Sequence, residues 1–130
     1  MKRVFISFRI EDKPQVNGLR LLAANPNYDL EFYDESVRSP YNSENARYIR
    51  ARIKEKIART SVTVCILNHL THTSQWVEWE LRESIAKSNR IIGMGVPGLT
   101  ASITLPQAMK DIGAGWMTWD VPALKAKIEA

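Results

Sequence analysis

Two carboxylates and two tryptophans crowd into the stretch SQWVEWEL, Ser74 to Leu81. Tryptophan is costly to leave in water, and a carboxylate is costly to bury unless it is paired. A glutamate held against an aromatic wall is a candidate functional group, because desolvation changes its proton affinity. At about 100° per residue, Val77, Leu81 and Ile85 define the inward face of a helix. Glu80 lies on one border of that face beside Trp76, and Glu78 on the other. Trp79 points outward over Glu83. Spacing alone leaves both glutamates open, either as functional groups or as solvated partners of Arg82 or Lys87.

Other patterns are weaker. GMGVPG matches G-x-G-x-x-G at Gly93, Gly95 and Gly98, but Pro97 interrupts it and no helical stripe follows, so a dinucleotide fingerprint is not expected. FRIEDK lacks the small hydroxylated turn of a flavin phosphate loop. The third strand ends in Asn68 rather than an acid, which argues against a receiver-type phosphoacceptor. His69 and His72 on a loop, with Cys65 inside a buried strand, make neither a metal site nor a nucleophilic pair. No Walker A sequence or serine elbow is present.

Alternating elements must position either carboxylate. RVFISF (Arg3 to Phe8) reads as a strand. Glu11 to Ala24 reads as a helix, capped by Asp12 with Pro14 in its first turn. DLEFYD (Asp29 to Asp34) is a second strand, followed by a polar loop to Ser43. Glu44 to Arg59 is a helix with Ser43 as cap and Ile49, Ile53 and Ile57 as its buried stripe. SVTVCIL (Ser61 to Leu67) is a buried strand. A loop capped by Thr73 or Ser74 leads to a helix from about Gln75 to Ser88. Arg90 to Val96 is a fourth strand, Pro106 to Asp111 a short helix, Gly115 to Asp120 a fifth strand, and Val121 to Ala130 a closing helix capped by Asp120. This alternation predicts an α/β fold: a three-layer, flavodoxin-like, five-stranded parallel sheet of order 2-1-3-4-5 with helices on both faces. Ligands of such sheets bind beyond the carboxyl ends of the strands. That places Ser7 to Asp12, Asp34 to Ser43 and Asn68 to Ser74 around one crevice.

The chain of 130 residues is read as one domain, residues 1–130. Its net charge of +4 comes mostly from ARYIRARIKEKIAR, which lacks the interleaved aromatics of a single-strand binding groove and reads as a solvated helix, so no nucleic acid is expected. No stretch approaches a membrane span, and the apolar run near the start is too short for a secretory signal. One cysteine allows no internal disulfide and points to a reducing, cytoplasmic setting.

KRVFISFRIED, SVTVCIL and SQWVEWELRESIAKSNRIIGMGV together resemble TIR-like domains, and most closely the short type of the bacterial Thoeris antiphage system, over residues 2 to about 96. The resemblance breaks the tie between the glutamates by placing the family's catalytic glutamate at Glu80. It implies cleavage of the bond between nicotinamide and ribose in NAD, with NAD as substrate and no cofactor or metal. The products are cyclic ADP-ribose isomers or ADP-ribose conjugates acting as second messengers. Self-assembly, a separate effector protein reached through the product, and a phage-derived trigger are further implications. Around Glu80, Trp76, with Ser7, Phe8 and Arg9 at the end of the first strand and in the loop after it, is expected to line the site, with Arg9 toward a phosphate. Tyr33 and Asp34, ending the second strand, are further lining candidates. Some TIR-like domains are adaptors, so a non-catalytic interaction module is the alternative expectation.

Overall fold

The computed structural model describes residues 2–20, 24–32 and 40–130. Five short apolar runs form the sheet: β1 (Lys2–Ser7), β2 (Tyr28–Phe32), β3 (Val62–Leu67), β4 (Arg90–Gly95) and β5 (Trp116–Met117). All neighbours pair in parallel, in the order β2-β1-β3-β4-β5, as the alternation of elements predicts. Among the described residues the helices are α1 (Lys13–Gly18), α2 (Ala46–Ala58), α3 (Gln75–Ala86), α4 (Gln107–Asp111) and α5 (Val121–Glu129). Short 3-10 turns at Ile10–Asp12 and Thr71–Thr73 precede α1 and α3.

Successive strand residues face opposite sides of a sheet. Val4 and Ile6 of β1 and Val62, Val64 and Ile66 of β3 therefore join Val16, Leu19, Leu124 and Ile128 in one core layer, under α1 and α5. Phe5 turns the other way and packs against Ile49, Ile53 and Ile57 of α2 and against Trp76. Cys65 and Leu67 meet Val77 and Leu81 of α3 and Ala108 and Met109 of α4 on that same side. All six residues of β3 are buried, as a strand covered on both faces requires. The inward stripes expected on α2 and α3 are those observed; burying each such aliphatic side chain favours folding by about 1.5–3 kcal/mol before entropy is counted.

Local departures have physical causes. The helix expected from Glu11 begins as a 3-10 turn, and Asp12 makes no capping bond there. Its carboxylate instead accepts a 2.8 Å hydrogen bond from Asn68 Nδ2 across the sheet end. Ser43 gives α2 only its carbonyl, which accepts from Ala46 N; the N-cap is Asn45. The helix expected to reach Ser88 ends at Ala86, and Ser88 takes a left-handed turn at φ 71°. The fifth strand is only Trp116–Met117, and Asp120, expected at its end, instead caps α5, where its side chain accepts from Ala123 N at 3.0 Å.

Candidate active site

The carboxyl ends of β1 and β3 and the first turns of α3 meet at one place. Ser74 caps α3, its hydroxyl accepting from Val77 N at 3.1 Å, which fixes where the helix begins. Starting there, Val77 and Leu81 face the sheet, and Glu80, on their β1-side border, turns toward the end of β1. Ser7 Oγ donates to Glu80 Oε1 at 2.7 Å, and both residues are 0% exposed. Below this contact the same helix is tied to β3 by side chains alone. Ser84 Oγ donates to the Glu80 carbonyl at 2.8 Å and accepts from Thr63 Oγ1 at 2.7 Å. Asn89 Nδ2 in turn reaches Thr60 Oγ1 at 2.9 Å and Thr63 Oγ1 at 3.3 Å.

Trp76 lies on the same flank of α3, one turn before Glu80, and is only 4% exposed. Its ring meets Tyr41 edge-on, with centroids 5.2 Å apart, and Trp79 at 6.3 Å. Trp79 thus has a packing partner, although it points outward. Glu78, on the opposite border, is not merely solvated. Its Oε1 accepts from Ala108 N at 3.0 Å and its Oε2 pairs with Arg82 Nε at 2.6 Å. Pro106, at the N-cap of α4, has no side-chain acceptor, and Glu78 supplies one from the neighbouring helix.

The other expected site residues separate. Ser7 reaches Glu80. Arg9 reaches the loop after β3, donating to Thr73 Oγ1 at 2.8 Å and to the Leu70 carbonyl at 3.2 Å while pairing with Glu11 at 2.6 Å. Phe8 is not brought to Glu80. It continues the alternation of Val4 and Ile6 and lies fully buried in the α1/α5 core, on the other side of the sheet. Tyr33 and Asp34 lie outside the described residues. A cleft of about 390 Å³ opens at the start of α3 between Tyr41, His72, Gln75, Trp79 and Arg82; Glu80 does not line it.

Burial pushes the Cys65 thiol well above its ordinary range, and the negative charge of Glu80 adds to the effect, so this cysteine is a core residue and not a nucleophile. Burial also raises the Asp12 carboxyl, opposed by the Asn68 amide. His69 and His72 are exposed on their loop. Among the described residues no group of three or more His, Cys, Asp or Glu is placed to hold a metal ion. No helix among them is long and apolar enough to cross a membrane.

The family described as "Thoeris protein ThsB, TIR-like domain" matches residues 5–101, a span that runs from β1 through β4 and includes both Ser7 and Glu80. The chain belongs to this TIR-like family. No curated protein matches it by sequence. Among solved structures, the TIR-like domain is similar to the TIR domain of a Toll-related receptor from Hydra magnipapillata, at 15% identity and TM-score 0.63, covering 98% of each chain. It is similar in fold to a CMP N-glycosidase of Clostridium botulinum, at 11% identity and TM-score 0.62, covering 99% of this chain and 100% of the other. A 2-deoxyribosyltransferase from Bacillus psychrosaccharolyticus aligns at 14% identity and TM-score 0.65, over 97% and 95% of the two chains. These likenesses establish the fold.

Several contacts of the TIR-like domain escape sequence reasoning. Ser84 lies one helical turn beyond Glu80, so the spacing does hold a signal for that pair. Thr63, Asn89 and Tyr41 reach the site from other elements, and no local pattern marks them. The Asn68–Asp12 bond likewise joins the segments that follow β1 and β3, two strands that are neighbours only in the sheet.

Proposed function

We propose that this TIR-like defence and signalling domain cleaves NAD at the bond between nicotinamide and ribose. The observation that carries the reading is the Glu80 carboxylate itself, fully buried beside Trp76 and hydrogen-bonded to Ser7 at the carboxyl end of a central parallel strand. Two proteins of similar fold are by name an N-glycosidase and a deoxyribosyltransferase, and cleavage or transfer at a glycosidic carbon is the class of chemistry taken up here.

Nicotinamide leaves NAD with the electron pair of the broken C–N bond. It departs neutral, because it starts as a pyridinium, and needs no general acid. The ribose is left with oxocarbenium character, as in glycoside cleavage. A desolvated carboxylate opposite that carbon stabilises the developing positive charge far more than a solvated one, since the local dielectric is low. Glu80 supplies that charge and an acceptor for the ribose hydroxyls. Trp76 walls the carboxylate, and Arg9, at the mouth of the same strand ends, offers a cation for a phosphate. Water, a separate acceptor molecule or a nucleophile within the ADP-ribosyl group then bonds to the sugar carbon and loses a proton, giving ADP-ribose, a conjugate or a cyclic isomer respectively. Self-assembly, a trigger of phage origin and an effector that reads the product complete the proposal.

The test is nicotinamide release from NAD by the purified protein, with mass spectrometry of the product. Glu80→Gln lowers release by about two orders of magnitude or more, whereas Glu78→Gln retains it. Full activity in Glu80→Gln refutes the assignment. That Glu80 does not line the cleft at the start of α3 favours a second reading, a non-catalytic interaction module in which the carboxylate is structural. That reading expects no nicotinamide release in any assembly state.

A further inference from the structure

Ser7 stands out among the inward residues of β1. Val4, Phe5 and Ile6 are apolar and fill the two cores, whereas Ser7 places a hydroxyl in a fully buried position. A lone hydroxyl in a core costs free energy unless it is bonded. Here it donates a 2.7 Å bond to Glu80 Oε1, an ordinary length for a well-formed O–H···O hydrogen bond. Glu80 is thereby held at two points. Its carbonyl accepts from Ser84 Oγ, which the Thr63 and Asn89 side chains support, and its carboxylate is tied to β1. Such a double hold sets the height of the carboxylate along the helix and the plane of its oxygens.

The hold also bears on charge. Burial drives a carboxyl toward its neutral form, and a neutral acid cannot stabilise an oxocarbenium. A donor aimed at the carboxylate acts in the opposite direction. The titratable side chain facing this spot from the adjoining strand is Cys65, in cross-strand register with Ser7, and burial keeps its thiol protonated. It therefore adds no charge there. Aromatic and aliphatic side chains, Phe5, Ile49, Ile53 and Trp76, pack on the α2 side.

We infer that Ser7 is a positioning residue: it does not meet substrate but orients the Glu80 carboxylate and favours its charged form. This moves Ser7 from the substrate-lining group to the support of the carboxylate, and it rests on the proposed NAD-cleaving role of Glu80.

Two readouts test it, one of them independent of turnover. Protein labelled with ¹³C at the glutamate side-chain carboxyl carbon is titrated by NMR, with Glu80→Gln assigning the resonance. Ser7→Ala, and the nearly isosteric but weakly donating Ser7→Cys, move the Glu80 midpoint upward by about one pH unit. Ser7→Thr, which keeps the hydroxyl, leaves it within a few tenths of a unit or so. In turnover, Ser7→Ala and Ser7→Cys lower kcat by about 10- to 100-fold with KM changed by less than about twofold, and Ser7→Thr restores most of kcat. Should Ser7→Ala fail to fold, Ser7→Cys carries both measurements. An unmoved Glu80 midpoint in the folded variant overturns the inference, as does a raised KM with kcat intact, which marks a substrate contact. If wild-type protein releases no nicotinamide in any state, the enzymatic reading fails on its own, and the NMR titration still decides whether Ser7 holds the Glu80 charge.

Discussion

Replacing Gly95 by alanine separates a packing role for GMGVPG from a nucleotide-binding one. Gly95 ends β4, in register with Leu67. An added Cβ there would stand 2.7 Å from Cζ3 of Trp116 and 3.1 Å from Cδ2 of Leu99. Carbon atoms in contact normally sit about 3.5–4.0 Å apart, so the indole must move by close to an ångström. Leu99 is buried and yields little; Trp116 is half-buried on a strand of two residues and yields more. Overpacking of this kind costs about 1–3 kcal/mol. For a domain of this size that lowers Tm by about 3–12 °C, read by circular dichroism. Nicotinamide release, measured well below Tm, stays within about twofold of wild type, since the strain lies at the β4/β5 edge and not at Ser7 or Glu80. The reasoning is refuted by an unchanged Tm accompanied by loss of NAD turnover, because that pattern belongs to a glycine that lets a phosphate approach the backbone. Gly98 offers an internal control. It has open space around its Cα but a φ of +84°, so alanine there costs about 1–2 kcal/mol through the backbone alone.

Three further outcomes are expected. Glu78→Ala removes the acceptor for Ala108 N and the partner of Arg82, loosens α4, and costs about 1–2 kcal/mol by urea unfolding while leaving nicotinamide release unchanged. Ser88→Gly relieves the left-handed turn that ends α3 and raises stability by about 1 kcal/mol, seen as a higher urea midpoint. The Tyr28 phenol is pushed up to about 12 by burial and by its bond to Glu129. A folded pKa above the unfolded value of about 10 means the contribution is complete below pH 10 and is lost as pH rises through 12. Urea midpoints therefore fall over that window in wild type and fall less in Tyr28→Phe.

The strand order and the helix faces were legible in the sequence because apolar periodicity reports burial directly. Ile49, Ile53 and Ile57 could lie on one helix face only, and the continuous apolar run of β3 required cover on both sides. Helix ends were less legible. Asp12 looks like a cap, but it is claimed by Asn68, and no local rule reveals a competitor that arrives from another strand. Glu78 looked like a solvated neighbour for the same reason: its partner, Ala108 N, belongs to a helix thirty residues onward. Phe8 packs in the core that Val4 and Ile6 occupy. Period-two alternation from Val4 and Ile6 already assigned it to the opposite core.

By itself, then, the sequence determined the class of fold, the inward stripe of α3 and, through family resemblance, which of two bordering glutamates is the candidate for catalysis. Only the tertiary structure decided what holds that glutamate. Ser7 and Glu80 are 73 positions apart, and their 2.7 Å contact exists because β1 lies beside β3 and α3 packs across both. A hydrogen bond between distant positions leaves no period or spacing in the chain, and its energy depends on burial that only the assembled sheet and helices create.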